Sequence, residues 1–116
     1  LEAYGPDIVN AYDEHGYHAL YHAAEDGCVD IVQLLLDNNV IVDALEDMYE
    51  RTALSAAASN GHNDIATLLL ENGADPNCKG PKGELPLLEA ISHGHYNMAK
   101  TLLEYGAAIG AKLYRI

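Results

Sequence analysis

His15, His18 and His22 form the densest set of side chains capable of chemistry in this chain of 116 residues. His18 and His22 stand four apart, which puts both imidazoles on one face of a helix. A zinc ion needs three or four ligands, each oriented by a further group, and no third ligand at a matching spacing accompanies this pair. His93 and His95 flank a glycine, which is helix-end spacing rather than ligand spacing. The sequence therefore predicts no metal and no cofactor. The 18 acids could supply a general acid and base only within a concave, partly desolvated site, and nothing in their spacing marks one. G-x-S-x-G, a P-loop, G-x-G-x-x-G and H-E-x-x-H are all missing. The expectation is a segment that is not an enzyme.

Charge is more informative than motif. Residues 1–50 contain 12 acids and no Lys or Arg, whereas residues 51–116 contain six of each sign, so the formal charge of −12 lies in the first half. Such a field repels phosphate, which argues against nucleic acid and anionic lipid and favours a basic partner; solubility alone is the plainer explanation of the same acids. No stretch is apolar enough over 18 residues to cross a bilayer, and the residues before the first helical pattern do not read as a secretory leader, so none is expected. Cys28 and Cys78, without C-x-x-C spacing, read as reduced thiols of an intracellular protein, cytoplasmic or nuclear.

The elements that carry these residues repeat. Leu20, Ala23, Gly27, Ile31 and Leu35 recur at a shift of 34 as Leu54, Ala57, Gly61, Ile65 and Leu69. A shift of 33 carries Leu54, Ala57, Gly61, Leu69, Leu70 and Gly73 onto Leu87, Ala90, Gly94, Leu102, Leu103 and Gly106. Self-similarity at this period means a solenoid of stacked units in contact mainly with their neighbours. With no Trp and no Phe, its core must be thin layers of Leu, Ile, Val and Ala.

Three segments, Gly16-x-His18-Ala19-Leu20-x-x-Ala23-Ala24-x-x-Gly27, Thr52-Ala53-Leu54-x-x-Ala57-Ala58-x-x-Gly61-His62 and Gly83-x-Leu85-Pro86-Leu87-x-x-Ala90-x-x-x-Gly94-His95, resemble the ankyrin-repeat motif. So does the run from Ile65 to Asn77. The resemblance covers almost the whole chain and implies an all-α fold, an ankyrin-repeat solenoid of stacked helix-turn-helix units joined by short β-hairpin loops. Repeats are expected over 12–44, 45–78 and 79–111. Residues 1–11 resemble the close of a preceding repeat, and 112–116 a following repeat or a tail, so a fragment of a longer array is expected.

Local signals fill in the units. In the first, a turn at Asp13-Glu14-His15-Gly16 leads to a helix from about His18 to Asp26, which Gly27 ends before a second helix from about Asp30 to Asn38. Ile31, Leu34 and Leu35 supply an i, i+3, i+4 apolar stripe, repeated by Ile65, Leu68 and Leu69. An array open on its leading side would leave Ile31, Leu34 or the Ala23 region uncovered. Asn39 stands where Gly73 and Gly106 stand later and suits a left-handed cap. One extra residue is expected between Asn39 and Asp47. Glu50 occupies the turn position of Gly16 and Gly83, and the sequence leaves open a strained turn or one without positive φ. Thr52 is a good helix cap, and Pro86 fits a first helical turn.

The resemblance also implies a function: ankyrin arrays bind proteins along a concave groove made by the turn tips and the exposed side of the first helices. Carried over by position, the tips here supply Glu14, His15, Tyr17, Met48, Tyr49, Arg51, Pro81, Lys82 and Glu84. The helix ends supply Glu25, Asp26, Ser59, Asn60, Ser92 and His93. Tyr17, Tyr49 and Met48 are the candidate anchors, since large apolar side chains dominate interface energetics. The expected partner is a protein or peptide with basic residues, bound by a monomer. The alternative is a regulatory or spacer segment of a larger enzyme or channel. Asp75-Pro76-Asn77 further resembles the sites of an asparaginyl hydroxylase, with Asn77 as target and Pro76 departing from the usual Val.

Overall fold

The computed structural model describes residues 9–46, 50–80 and 83–107. Among them six helices follow one another: α1 Ala19–Asp26, α2 Val29–Asp37, α3 Ala53–Asn60, α4 Asn63–Glu71, α5 Pro86–Ser92 and α6 Tyr96–Glu104. They pair as α1/α2, α3/α4 and α5/α6. The first helices pack one on the next, α1 on α3 and α3 on α5, and the second helices α2, α4 and α6 form a parallel layer behind them. The stacked first helices are what bring the expected contact residues to one side.

Each helix begins and ends where its residues dictate. His18 and Thr52 are N-caps, His18 Nδ1 accepting from the Tyr21 amide at 3.2 Å and Thr52 Oγ1 from the Ser55 amide at 3.1 Å. Leu85 has no side chain able to cap, and Pro86 at the first position of α5 brings no amide that needs one. Asp30 and Asp64 lie in the first turns of α2 and α4, toward the positive ends of those helix dipoles. Asn39, with φ of 63°, is the left-handed residue just after α2, as its place opposite Gly73 requires.

The turns between pairs are hairpin-like but short. Among the described residues the only bridge is the isolated antiparallel pair Tyr12 and His18. Backbone bonds from Asp13 N to Tyr17 O and from Gly80 N to Glu84 O close turns of equal length; the corresponding bond from Glu46 N reaches Arg51 O, one residue further. Asn39 to Glu46 and Gly73 to Gly80 are equal intervals. The extra residue is therefore not between Asn39 and Asp47, as expected, but inside the turn closed by Glu46 and Arg51. Glu50 takes φ of 54° there, so of the two turn geometries the strained one is adopted, at a cost of about 1–2 kcal/mol.

Core residues follow the repeat register. Leu20, Leu54 and Leu87, Ala24 and Ala58, and Ala57 and Ala90 are all at most 1 % exposed. Alanine here allows the helices to approach closely, so burial of Leu, Ile and Val supplies the stabilisation, roughly 1.5–3 kcal/mol for each fully buried large aliphatic side chain. The apolar stripe holds in α4, where Ile65 and Leu69 are buried and Leu68 half-buried. It fails in α2: Ile31 and Leu34 are exposed, Leu35 is half-buried, and Val32 is the buried residue. Ala23, by contrast, is buried.

Candidate protein-interaction surface

The turn tips and the ends of the first helices carry the residues expected to make contacts, and α3, between α1 and α5, is the first helix most fully covered along its length. Glu14 and His15 are exposed at the first tip, where the Asp13 carboxylate accepts from the His15 and Tyr17 amides at 2.9 and 3.0 Å. The same carboxylate accepts a hydrogen bond from His22 Nε2 at 2.9 Å. That bond and the Tyr17 amide hold the Asp13 pKa at about 2. The tip is thereby pinned to α1 from outside.

Tyr17 is half-buried and stacks on Tyr21, with ring centroids 5.6 Å apart. The His22 ring lies 5.3 Å from it as well, so Tyr17 is held against α1. Tyr21 is fully buried and lies 5.5 Å from the Arg51 guanidinium. Burial pushes its phenol up to about 12, and its hydroxyl has no hydrogen-bond partner among the described residues. Arg51 in turn lies 3.8 Å from the fully buried Glu46 carboxylate, which also accepts the Arg51 amide at 3.3 Å. The Arg51 charge is thus largely answered inside the protein, and its half-buried side chain belongs to the wall between the first two pairs.

At the helix ends, Glu25 and Asp26 on α1, Asn60 on α3, and Ser92 and His93 on α5 are exposed. Ser59 is half-buried and donates to Glu89 Oε1 at 2.9 Å, so it ties α3 to α5. Asn60 returns its amide to Ala56 O at 3.1 Å, and His93 Nδ1 donates to Glu89 O at 2.8 Å. Glu84 is half-buried in the third turn. Because α1, α3 and α5 stack in order, Glu25 with Asp26, Ser59 with Asn60 and Ser92 with His93 make a row across the three pairs. Met48, Tyr49, Pro81 and Lys82 lie outside the described residues.

The three histidines of the first unit do not converge on a metal. His18 accepts at Nδ1 from the Tyr21 amide, so its proton is on Nε2, which donates to Ala44 O at 3.1 Å; both ring nitrogens are used. Burial lowers its pKa. His22 faces Asp13, and His15 faces Glu14 at 3.4 Å. No group of three or more metal-binding side chains exists among the described residues. Asn77 is half-buried; its side chain donates from Nδ2 to Gly106 O at 3.2 Å, and its backbone N–H donates to Asp75 Oδ1 at 2.9 Å. Both bonds hold the connection between the second and third pairs.

Glu46 and Tyr21 are the residues that pattern alone did not single out. The repeat register contains the signal for Glu46: it aligns with Asp13, and both carboxylates accept the amide that opens the next segment. For Tyr21 the register misleads, since Ser55 and Leu88 occupy its place in the later pairs.

A family model described as ankyrin repeats (3 copies) matches residues 2–80 and 46–112. An ankyrin repeat-containing protein of Treponema pallidum is 32 % identical over 111 residues, 87 % of this chain and 37 % of its own length. A homologue of the transient receptor potential cation channel subfamily A member 1 from Caenorhabditis elegans is 32 % identical over 78 % of this chain and 7 % of its own. The 2-5A-dependent ribonuclease of Mus musculus is 38 % identical over 62 % of this chain and 10 % of its own. The chain thus spans well under two thirds of the length of these relatives.

Proposed function

The chain belongs to the ankyrin-repeat family, and from that premise we propose that it is a protein-interaction module for a partner with a basic segment. The partner lies along the row of turn tips and first-helix ends. The observation that carries this reading is the pairing of that row with one-sided charge: Glu14, Glu25 and Asp26 are exposed on a half of the chain that contains no Lys or Arg. Such acids steer a basic segment and set its orientation, with the basic end toward α1. Ser59, Asn60, Ser92 and His93 continue the row as hydrogen-bonding groups without a carboxylate. The same acids disfavour nucleic acid. The free thiols of Cys28 and Cys78 fit an intracellular setting.

Capture of partners from a lysate by the purified chain at low and at high salt tests this. A partner with a basic segment, retained at low salt and lost at high salt, is expected; retention only of acidic or salt-insensitive partners would refute the basic preference. A second reading has its own support, because the channel and the ribonuclease contain matching segments as a small part of much longer chains. In that reading the repeats hold or regulate other domains. Asn77 as a hydroxylation target rests on its sequence context and its half-exposure, and a mass shift of one oxygen after treatment with an asparaginyl hydroxylase would establish it.

A further inference from the structure

Successive units are fastened to one another in two places. At the ends of the first helices an imidazole lies over a glycine: His62 covers Gly27 and His95 covers Gly61. Each ring donates from Nε2 to the carbonyl two residues before its glycine, Glu25 O at 3.0 Å and Ser59 O at 3.1 Å. The second fastening joins the segments that lead into each turn. There a side chain of one segment accepts an amide of the next. Asn10 Oδ1 accepts from Ile41 N at 2.7 Å, and both oxygens of Asp43, between α2 and α3, accept from Asp75 N, between α4 and α5, at 3.2 and 3.1 Å.

Asn10, Asp43 and Asn77 are equivalent in the repeat register, so an acid stands at Asp43 where amides stand before and after it. An asparagine side chain can accept and donate at once. Asn77 uses its donor, from Nδ2 to Gly106 O at 3.2 Å. The residue equivalent to Gly106 beside Asp43 is Gly73, and an ionised carboxylate has no proton to offer its carbonyl. Asp43 is half-buried. The titratable groups facing it are the Asp75 carboxylate and the Cys78 thiol, and among the described residues neither acid forms a salt bridge with a basic side chain. Its charge is answered by the Asp75 amide and opposed by the Asp75 carboxylate.

We propose that Asp43 makes this fastening pH-sensitive: ionised, it holds the next segment through the Asp75 amide alone, and protonated, it gains the donor that asparagine supplies at Asn77 and bonds the Gly73 carbonyl as well. The device ties the connection leaving the pair that carries Glu14, Glu25 and Asp26 to the connection leaving the middle pair. Burial pushes the Asp43 carboxyl above its ordinary value of 3.8; the Asp75 amide opposes this and the Asp75 charge adds to it. Because the folded value lies above the unfolded one, the contact contributes stability that is fully present below the ordinary value and is lost as pH rises through the folded value. The Cys78 thiol is pushed up by burial and by the same two carboxylates, so it stays protonated at neutral pH and adds no charge of its own.

Asp43→Asn supplies the missing donor at every pH. At about pH 7 its thermal midpoint is expected to exceed that of the parent chain by about 3 °C or more, the effect of one added hydrogen bond and one removed half-buried charge. The gain should shrink as pH falls to about 4, where the parent carboxyl takes up its proton; the titration of His18 is common to both chains and cancels. Asn77→Asp, the reverse exchange one unit later, should lower the midpoint at neutral pH and recover part of that loss in acid. A midpoint unchanged or lowered by Asp43→Asn at neutral pH, or a gain that is the same in acid, would overturn the proposal. So would a carboxyl carbon NMR signal of Asp43 that titrates at or below the ordinary value.

Discussion

Ile31 and Ile65 occupy the same position of the repeat, yet Ile31 is 47 % exposed and Ile65 1 % exposed. Ala58 and Ile91 show the converse across the other interface: Ala58 is covered and Ile91 is 55 % exposed. Among the described residues the middle pair is enclosed on both sides, and its neighbours each on one. Burial in this molecule is therefore set by what stands beside a unit, as expected where stability is a sum of unit and interface contributions. The charge follows a similar division, with the acids of the first pair facing water and Arg51 of the second folded inward onto Glu46 and Tyr21.

The sharpest way to break this comparison is to truncate equivalent side chains in enclosed and flanking pairs. Leu69→Ala should cost about 3 kcal/mol, within the range for buried leucine, whereas Ile31→Ala should cost well under 1 kcal/mol; urea unfolding of both variants checks the ratio. Equal losses would mean that the first pair is covered as fully as the second.

The inter-unit contact gives the next largest effect. Gly61→Ala meets both the left-handed φ and the His95 ring, while Gly73→Ala, with φ of 95° and open space around it, meets the φ alone. About 2 kcal/mol or more is expected for the first and about 1 kcal/mol for the second. Denaturation midpoints that coincide would remove the imidazole contact from the account. In the opposite direction, Glu50→Gly should stabilise by about 1 kcal/mol by relieving the left-handed strain of the turn with the extra residue.

The register, the caps at Thr52, Gly27 and Gly61, and the paired helices were legible from residue types, because each depends on its own segment. The extra residue was placed wrongly because both sides of the Glu46–Arg51 turn read alike until the backbone pairing is known. In α2, Ile31 and Leu34 have the right spacing for burial, yet no described element covers them, and of the surface expected to stay uncovered on the leading side these two are exposed while Ala23 is buried. Among the candidate contacts, the exposed acids were legible as charge, whereas the withdrawal of Tyr17 onto Tyr21 and of Ser59 onto Glu89 arises from neighbouring helices that no local pattern reports.

A smaller effect separates the first pair from the rest by pH. His18 is protonated less readily in the folded protein than its ordinary value of 6.5, because burial disfavours its charged form. The unfolded chain then binds the extra proton first, so stability should fall as pH drops below about 6.5, toward the lower folded value. Protonation would also set an Nδ1–H against the Tyr21 amide. A pH titration of thermal midpoints should show this slope, and His18→Asn, which keeps a cap but not the titration, should flatten it.

The account's central claim, that the acids of the first pair steer a basic partner onto the row of helix ends, is tested most directly by association kinetics. The double variant Glu25→Lys with Asp26→Lys is compared with the parent chain across a range of salt, against the partner captured at low salt. Slower association and a flatter salt dependence, with the thermal midpoint preserved, are predicted. Unchanged rates and salt dependence in a folded variant would contradict the claim and move binding to another face.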